Sequence, residues 1–243
     1  MDEFLAACGV SEDPLAPGQR EALDSKGYLV LPGVVGGAQL ETLRDAFEAA
    51  VGSAPHRTGG RQSGTRHVEG LAWRDRAFEA VYTHPTLLAA AHHVLRRPFQ
   101  LFQLSGRDPL PGFGLQGLHV DWLPRTPGEP YHVVTALWLL DDFTPENGPT
   151  RLVPGSHRVP RPLPRTMQAP ENHHPGEVRV TAGAGAALIF NGHLWHGGTR
   201  NGSREPRRVL QCQLVARGSM RPRDDPAVPP EGLSPAALRI LGR

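Results

Sequence analysis

Three short stretches carry the residue types from which a redox metal site is built. The first is His119-Val120-Asp121. On an extended chain, residues i and i+2 project to the same side, so the imidazole and the carboxylate can reach one ion. Together they make two thirds of a 2-His-1-carboxylate set. That set holds non-haem iron(II) on one face and leaves positions open for dioxygen and a bidentate co-substrate. The pair alone recurs by chance. The second stretch is NGHLWHGGTRNG, residues 191–202, which follows a strand-like run and offers His193 and His196, either of which could complete the set. An HxxH pair also suits zinc, but cysteine partners are absent, and His/Asp/His with open positions suits iron better. The third is Arg207, eleven residues beyond His196 at the start of another strand-like run. A co-substrate that chelates the ion at one end and carries a carboxylate at the other needs a buried cation, best supplied by the guanidinium fork. On a regular strand Arg208 shares a face with Leu210, Cys212 and Leu214, and Arg207 with Val209, Gln211 and Gln213, so a polar barrel interior favours Arg207.

Such residues need a rigid frame. From Pro98 onward strand-like runs recur at 99–105, 133–140, 151–153, 177–181, 186–190 and 207–216, with turn residues between them. That spacing predicts an antiparallel barrel or double-sheet jelly roll. Before Pro98 the chain reads as mainly helical, with segments at 17–26, 38–51, 75–82 and 86–95, a short strand within GYLVLPGVV (27–35), and a polar, Gly-rich loop at 52–66. Leu40, Leu43, Phe47 and Val51 give the second of these helices its apolar stripe. The Pro-rich stretch 158–175 has no period and reads as a loop over the site. A last short helix is expected near 233–241. The expected organisation is one domain over 1–243: a helical part (1–97), a jelly-roll core (98–217) and a tail (218–243).

Composition narrows the class. The formal net charge is +2, with 26 basic and 24 acidic residues, so nothing in the balance demands nucleic acid or an anionic membrane as a partner. Two distant cysteines, Cys8 and Cys212, make no disulfide framework and no CxxC motif. The acidic start MDEFLAACGV lacks the features of a signal peptide, and no run approaches the ~20 apolar residues of a membrane helix. A cytoplasmic location is therefore expected.

Taken together, LQGLHVDW (115–122), WLLDDFTPENGPTRLVPGSHR (138–158) and LWHGGTRNGSREPRRVLQ (194–211) resemble the phytanoyl-CoA dioxygenase family. The NGP and PGSH turns between the two ligand segments carry much of the likeness, which spans roughly residues 20 to 217. The resemblance implies a double-stranded β-helix core, Fe(II), 2-oxoglutarate and O2. It implies His119, Asp121 and His196 as iron ligands and Arg207 as the co-substrate arginine. It also points to Thr135 and Trp138 as co-substrate contacts, although on a regular strand those two face opposite ways. Some relatives carry a serine two residues after the distal histidine, where this chain has Gly198. A halide-transferring relative would need the carboxylate ligand replaced by a small residue, so Asp121 argues for hydroxylation of a small-molecule substrate with release of succinate and CO2. Desaturation, epimerisation, cyclisation and epoxidation share the same first step. A non-catalytic metal-binding jelly-roll module is the reading from another class. Gln103, Arg107, Trp122, Arg66 and His67 are further candidates for the pocket wall, and His157 for a structural role.

Overall fold

Runs that alternate inward and outward side chains need a partner layer on each face, and this chain supplies two different ones. The computed structural model describes residues 3–10, 12–52, 64–122, 126, 128–159, 162–219 and 228–243. In chain order the elements are α1 (Glu3–Ala7), α2 (Pro17–Ser25), β1 (Tyr28–Leu31), α3 (Gly37–Val51), β2 (Thr65–Val68), α4 (Glu79–Tyr82), α5 (Pro85–Leu95), β3 (Phe99–Pro109), β4 (Val133–Leu139), β5 (Thr150–Leu152), β6 (Val178–Arg179), β7 (Ala187–Asn191), β8 (His196–Gly198), β9 (Val209–Ala216) and α6 (Pro235–Ile240). The strands form a six-stranded sheet in the order β1-β7-β4-β9-β3-β2 and a three-stranded sheet in the order β6-β5-β8. All the pairings are antiparallel. This is the expected mainly-β jelly roll with flanking helices.

The two faces of the large sheet bury different sets. Its outer face presents Ala136, Trp138, Ile189, Leu210, Cys212 and Leu214 to α3 and α5, which answer with Leu43, Phe47, Leu87 and Leu88 in one apolar cluster. Each such side chain taken from water is worth about 1.5–3 kcal/mol. The inner face presents Leu137, Leu188, Phe190 and Val209 to Leu152 of the small sheet, in a second cluster. α5 starts where the sequence allows it: Pro85 fills its first turn, and the Thr86 N–H donates to the His84 ring.

Several expectations shift. The N-terminal segment supplies the expected short strand as β1 and, beyond it, β2, so that both outermost strands of the large sheet come from it. Residues 65 and 66 were expected in a loop and instead open β2, because they pair with Pro109 and Asp108 of a β3 that runs further than its apolar stretch. The stretch 75–82 is a 3-10 turn (Arg76–Phe78) running into a one-turn helix. Most of the Gly-rich loop (53–63) and much of the tail (220–227) lie outside the described residues. Among the described residues no helix is long and apolar enough to cross a membrane.

One glycine in the frame is constrained enough to test. Gly185, in the turn before β7, has φ +79°, and a Cβ there would overlap the Val35 carbonyl. The Val35 N–H also donates to the Gly185 carbonyl at 3.0 Å, joining this turn to the segment between β1 and α3. Gly185→Ala is expected to cost about 2–5 kcal/mol, combining backbone strain with displacement of Val35. Urea unfolding should show a lower midpoint at an unchanged m-value.

Candidate metal centre

The His119 segment is not part of either sheet. It meets β8 through a single antiparallel bridge, in which the His119 N–H donates to the His196 carbonyl (2.8 Å) and the His196 N–H returns the bond (3.0 Å). The Asp121 N–H donates to the Gly192 carbonyl at 2.8 Å, so both segments are pinned to each other by backbone. One ligand-type atom each from His119, Asp121 and His196 lies within 4.8 Å of the others. The two imidazole rings are 4.3 Å apart, and His196 Nε2 is 3.5 Å from Asp121 Oδ1.

Hydrogen bonds set the ring tautomers. His119 Nδ1 lies 3.0 Å from the Gly117 carbonyl, and His196 Nδ1 lies 2.8 Å from the Leu194 carbonyl. A carbonyl only accepts, so each Nδ1 carries the proton and each Nε2 offers its lone pair. Asp121 Oδ2 accepts the Thr135 hydroxyl at 2.6 Å, which leaves Oδ1 turned towards His196.

Electrostatics put His119 and Asp121 in their ligating forms and favour a proton on His196. Burial, reinforced by the opposing His196 imidazole, pushes His119 down to about 3, so it is neutral. Burial opposes charge on Asp121, but His196, His119 and the Thr135 hydroxyl outweigh it and hold its carboxyl below the ordinary range. Burial would lower His196 as well, but the Asp121 carboxylate wins and raises it. Without an ion, a proton on His196 thus does part of what a cation would do beside Asp121.

A cavity opens against the two imidazoles, with Arg207, Arg107, Gln116 and Thr150 among its walls. Arg207 is 6% exposed. Its guanidinium lies 5.0 Å from the Phe143 ring, its Nε has no hydrogen-bond partner, and among the described residues no carboxylate forms an ion pair with it. Burial and the nearby Arg107 push it down to about 9, a sign that charging it is uphill without a counter-anion. A cavity with imidazole lone pairs at one wall and an uncompensated buried guanidinium at another suits a molecule that chelates a metal and carries a distal carboxylate. Iron(II) with 2-oxoglutarate therefore fits the residues present.

The structure sorts the sequence candidates. It brings His119, Asp121, His196 and Arg207 together. It turns His193 away: that ring accepts the His132 N–H at 3.2 Å. Arg208 points outward, to Asp141 (2.7 Å) and Glu48 (3.0 Å). Two expectations are corrected. Trp138 does not reach the cavity; it packs on the outer face beside His84, with ring centroids 5.1 Å apart, while its neighbour Leu137 lines the cavity. Thr135 faces inward but serves Asp121 rather than the cavity. Arg66 spans Glu48 and Asp108 outside the barrel, whereas His67 sits opposite Arg107 in the register. His157 packs against Gly27 and faces the Asp24 carbonyl, a structural place.

Gln116 and Thr150 were not singled out from sequence. Alternation cannot find Gln116, because residues 113–118 form no strand. Its Oε1 accepts the Gly198 N–H at 3.0 Å, and a Cβ at Gly198 would press on the Gly114 carbonyl and on Gln116 itself. That explains glycine where some relatives have serine. Thr150 could have been found from its place directly after the NGP turn.

Comparison with known proteins agrees with this arrangement. Residues 23–209 match the family model of phytanoyl-CoA dioxygenase. The dioxygenase trt7 of Aspergillus terreus is 33% identical over 165 residues, covering 62% of this chain and 54% of its own. The ectoine dioxygenase of Halomonas elongata is 26% identical over 231 residues, covering 81% of this chain and 69% of its own. This chain thus spans about half the length of the first of these relatives. The crystal structure of HygX from Streptomyces hygroscopicus with nickel and 2-oxoglutarate bound is similar with a TM-score of 0.67 at 25% identity, covering 84% of this chain and 88% of that one. HygX has also been crystallised with hygromycin B. Since the matched stretch contains both ligand segments and Arg207, this chain belongs to the phytanoyl-CoA dioxygenase family.

Proposed function

We propose that this protein is a mononuclear iron(II) enzyme that couples the oxidative decarboxylation of 2-oxoglutarate to oxidation of a C–H bond in a small-molecule substrate, with hydroxylation as the outcome. The observation that carries it is the shared cavity: two imidazoles of the converging His119, Asp121 and His196 set stand at one wall, and a buried guanidinium that forms no ion pair with a carboxylate among the described residues stands at another. HygX, with its bound nickel, 2-oxoglutarate and hygromycin B, supports the small-molecule reading.

His119, Asp121 and His196 would hold the iron. When bound, iron and 2-oxoglutarate together supply the activation of dioxygen and the oxidising equivalents for the substrate. The chain's own residues prepare that site. The Gly117 and Leu194 carbonyls keep a proton on each Nδ1, so both Nε2 atoms stay available. The Thr135 hydroxyl, with His196 and His119, helps keep Asp121 ionised and would leave Oδ1 as the oxygen for the ion. Arg207 would receive the distal carboxylate, and Phe143 covers the guanidinium. Arg107 adds a second positive charge to the wall. Asp121 would hold the iron where a halide-transferring enzyme would need a small residue, which favours hydroxylation over halogenation. Cys8 and Cys212 are buried free thiols, which fits a reducing, cytoplasmic setting.

The purified protein, loaded anaerobically with Fe(II), should develop an absorbance band on addition of 2-oxoglutarate. In air with ascorbate it should release succinate slowly even without substrate. Absence of both the band and the succinate sinks this function and favours a non-catalytic metal-binding module.

A further inference from the structure

We infer that Arg151 is a positioning residue for the metal centre, clamping the segment before His119 to the loop that lies over it. The inference rests on the iron reading above.

Arg151 is 0% exposed, although it carries a charge. It sits on β5, opposite Gly197 of β8. Its Nη2 donates to the Gln116 carbonyl (2.7 Å) and to the Pro170 carbonyl (3.1 Å). Its Nη1 donates to the Asn172 carbonyl (2.8 Å) and to Glu177 (3.2 Å). One buried guanidinium therefore holds the backbone of the ligand segment and two points of the loop together. A buried charge is costly unless its hydrogen bonds are met; here carbonyls and one carboxylate serve Nη1 and Nη2, while Nε has no partner among the described residues.

The clamp is continued by backbone. The Leu118 N–H donates to the Met167 carbonyl at 3.0 Å, and a Cβ on Gly117 would overlap the Gln168 carbonyl. On the other side, a Cβ on Gly197 would come within 2.9 Å of the Gly117 carbonyl. Gly117 is thus gripped between β8 and the loop, with both chain neighbours tied. Its carbonyl is the group that accepts His119 Nδ1–H and aims Nε2. The linkage runs from Arg151 through Gln116 and Gly117 to the His119 ring. No strand holds residues 113–118, so this clamp does the work that a sheet does for other ligands.

The test uses the full chain and Co(II) as the probe, titrated anaerobically and read by its d–d absorption. Arg151→Met should remain folded by circular dichroism yet bind Co(II) about 10–100-fold more weakly, the usual effect of losing an outer-sphere partner. Its d–d band should change shape, and trypsin should cut after Arg165 faster. Arg151→Lys, which keeps the charge but loses the fork, should fall between it and the wild type. Gly185→Ala, destabilised elsewhere, should keep the wild-type affinity and band. Wild-type affinity and band in Arg151→Met, or an equal loss in Gly185→Ala, overturns the inference. If Arg151→Met does not fold, Arg151→Lys decides on the same two readouts. Failure of the wild type to bind Co(II) overturns the metal reading itself, and this inference with it.

Discussion

Replacing Arg207 with methionine is expected to remove 2-oxoglutarate binding by the metal-loaded protein while leaving the metal-free protein as stable as the wild type, or more so. The two effects have opposite signs for one reason. In the ligand-free protein the guanidinium is buried, with no carboxylate ion pair among the described residues and an unbonded Nε, and its pKa is lowered to about 9. Arginine nevertheless keeps its proton in proteins, so the cost appears as lost stability. For a base with a depressed pKa the penalty is present throughout the range below the folded value, neutral pH included. It is relieved only as pH rises from there towards the ordinary arginine value. Replacing such a charge with a well-packed apolar side chain is neutral or stabilising by about 1–4 kcal/mol. Truncating one side of a buried, hydrogen-bonded charge pair with the ligand costs about 2–5 kcal/mol, or roughly thirty- to several-thousand-fold in affinity. Thermal unfolding with and without 2-oxoglutarate reads both effects. A variant with an unchanged 2-oxoglutarate shift would show that the distal carboxylate lies elsewhere. Arg208→Met is the contrast: it strips Asp141 of its partner and Glu48 of one of its two arginines on the outer face, so it should lose stability and keep 2-oxoglutarate affinity.

Asp121→Asn should weaken metal binding by more than about a hundredfold, beyond the range seen when only an outer partner is lost. It should also change the pH dependence of what binding remains. In the wild type the Asp121 carboxylate raises His196, so below that raised value an ion must displace a proton. Affinity should then fall by about tenfold per pH unit as pH decreases. The apo protein follows the same sign. A raised imidazole contributes stability that is full below its unfolded value and is lost as pH rises through its folded value. A depressed carboxyl such as Asp121 contributes stability that is present above its unfolded value and is lost in acid. With asparagine, the Asp121 charge is gone and burial, the largest remaining influence, lowers His196 against the weaker pull of the Leu194 carbonyl, so proton release on metal binding should largely disappear near neutral pH. Calorimetric Co(II) titration in two buffers of different ionisation enthalpy measures that release directly. Equal release in the wild type and the variant would refute the pairing.

Much of this site could be read along the chain because its rules are local. His119 and Asp121 are two residues apart on an extended segment. His196 follows a strand and precedes an arginine at a short, fixed distance, and the NGP and PGSH turns lie between. Alternation alone does not decide between Arg207 and Arg208; a polar barrel interior and the spacing after the distal histidine that the family resemblance implies favour Arg207. Alternation does indicate that Thr135 and Trp138 cannot both face inward, and the structure puts Trp138 outside among the helices.

Other features depended on contacts between distant segments. Nothing near His193 in the sequence says that its ring meets the His132 N–H instead of the ion. Thr135 became a partner of Asp121 because β4 passes behind the ligand segment. β2 forms where the sequence looked like loop, because β3 continues as a polar strand and offers it a partner. Gln116 entered the cavity wall from a segment with no period to read.

By itself, then, the sequence determined the ligand types, their order and the alternating barrel that carries them, since each follows from spacing of a few residues along one strand or turn. Only the tertiary structure decided which imidazole nitrogen faces the ion, which carboxylate oxygen stays free and how the unpaired segment before His119 is held. Those depend on carbonyls and on the buried Arg151 guanidinium, brought from far along the chain, and local sequence pattern does not encode the close approach of segments that meet only on folding.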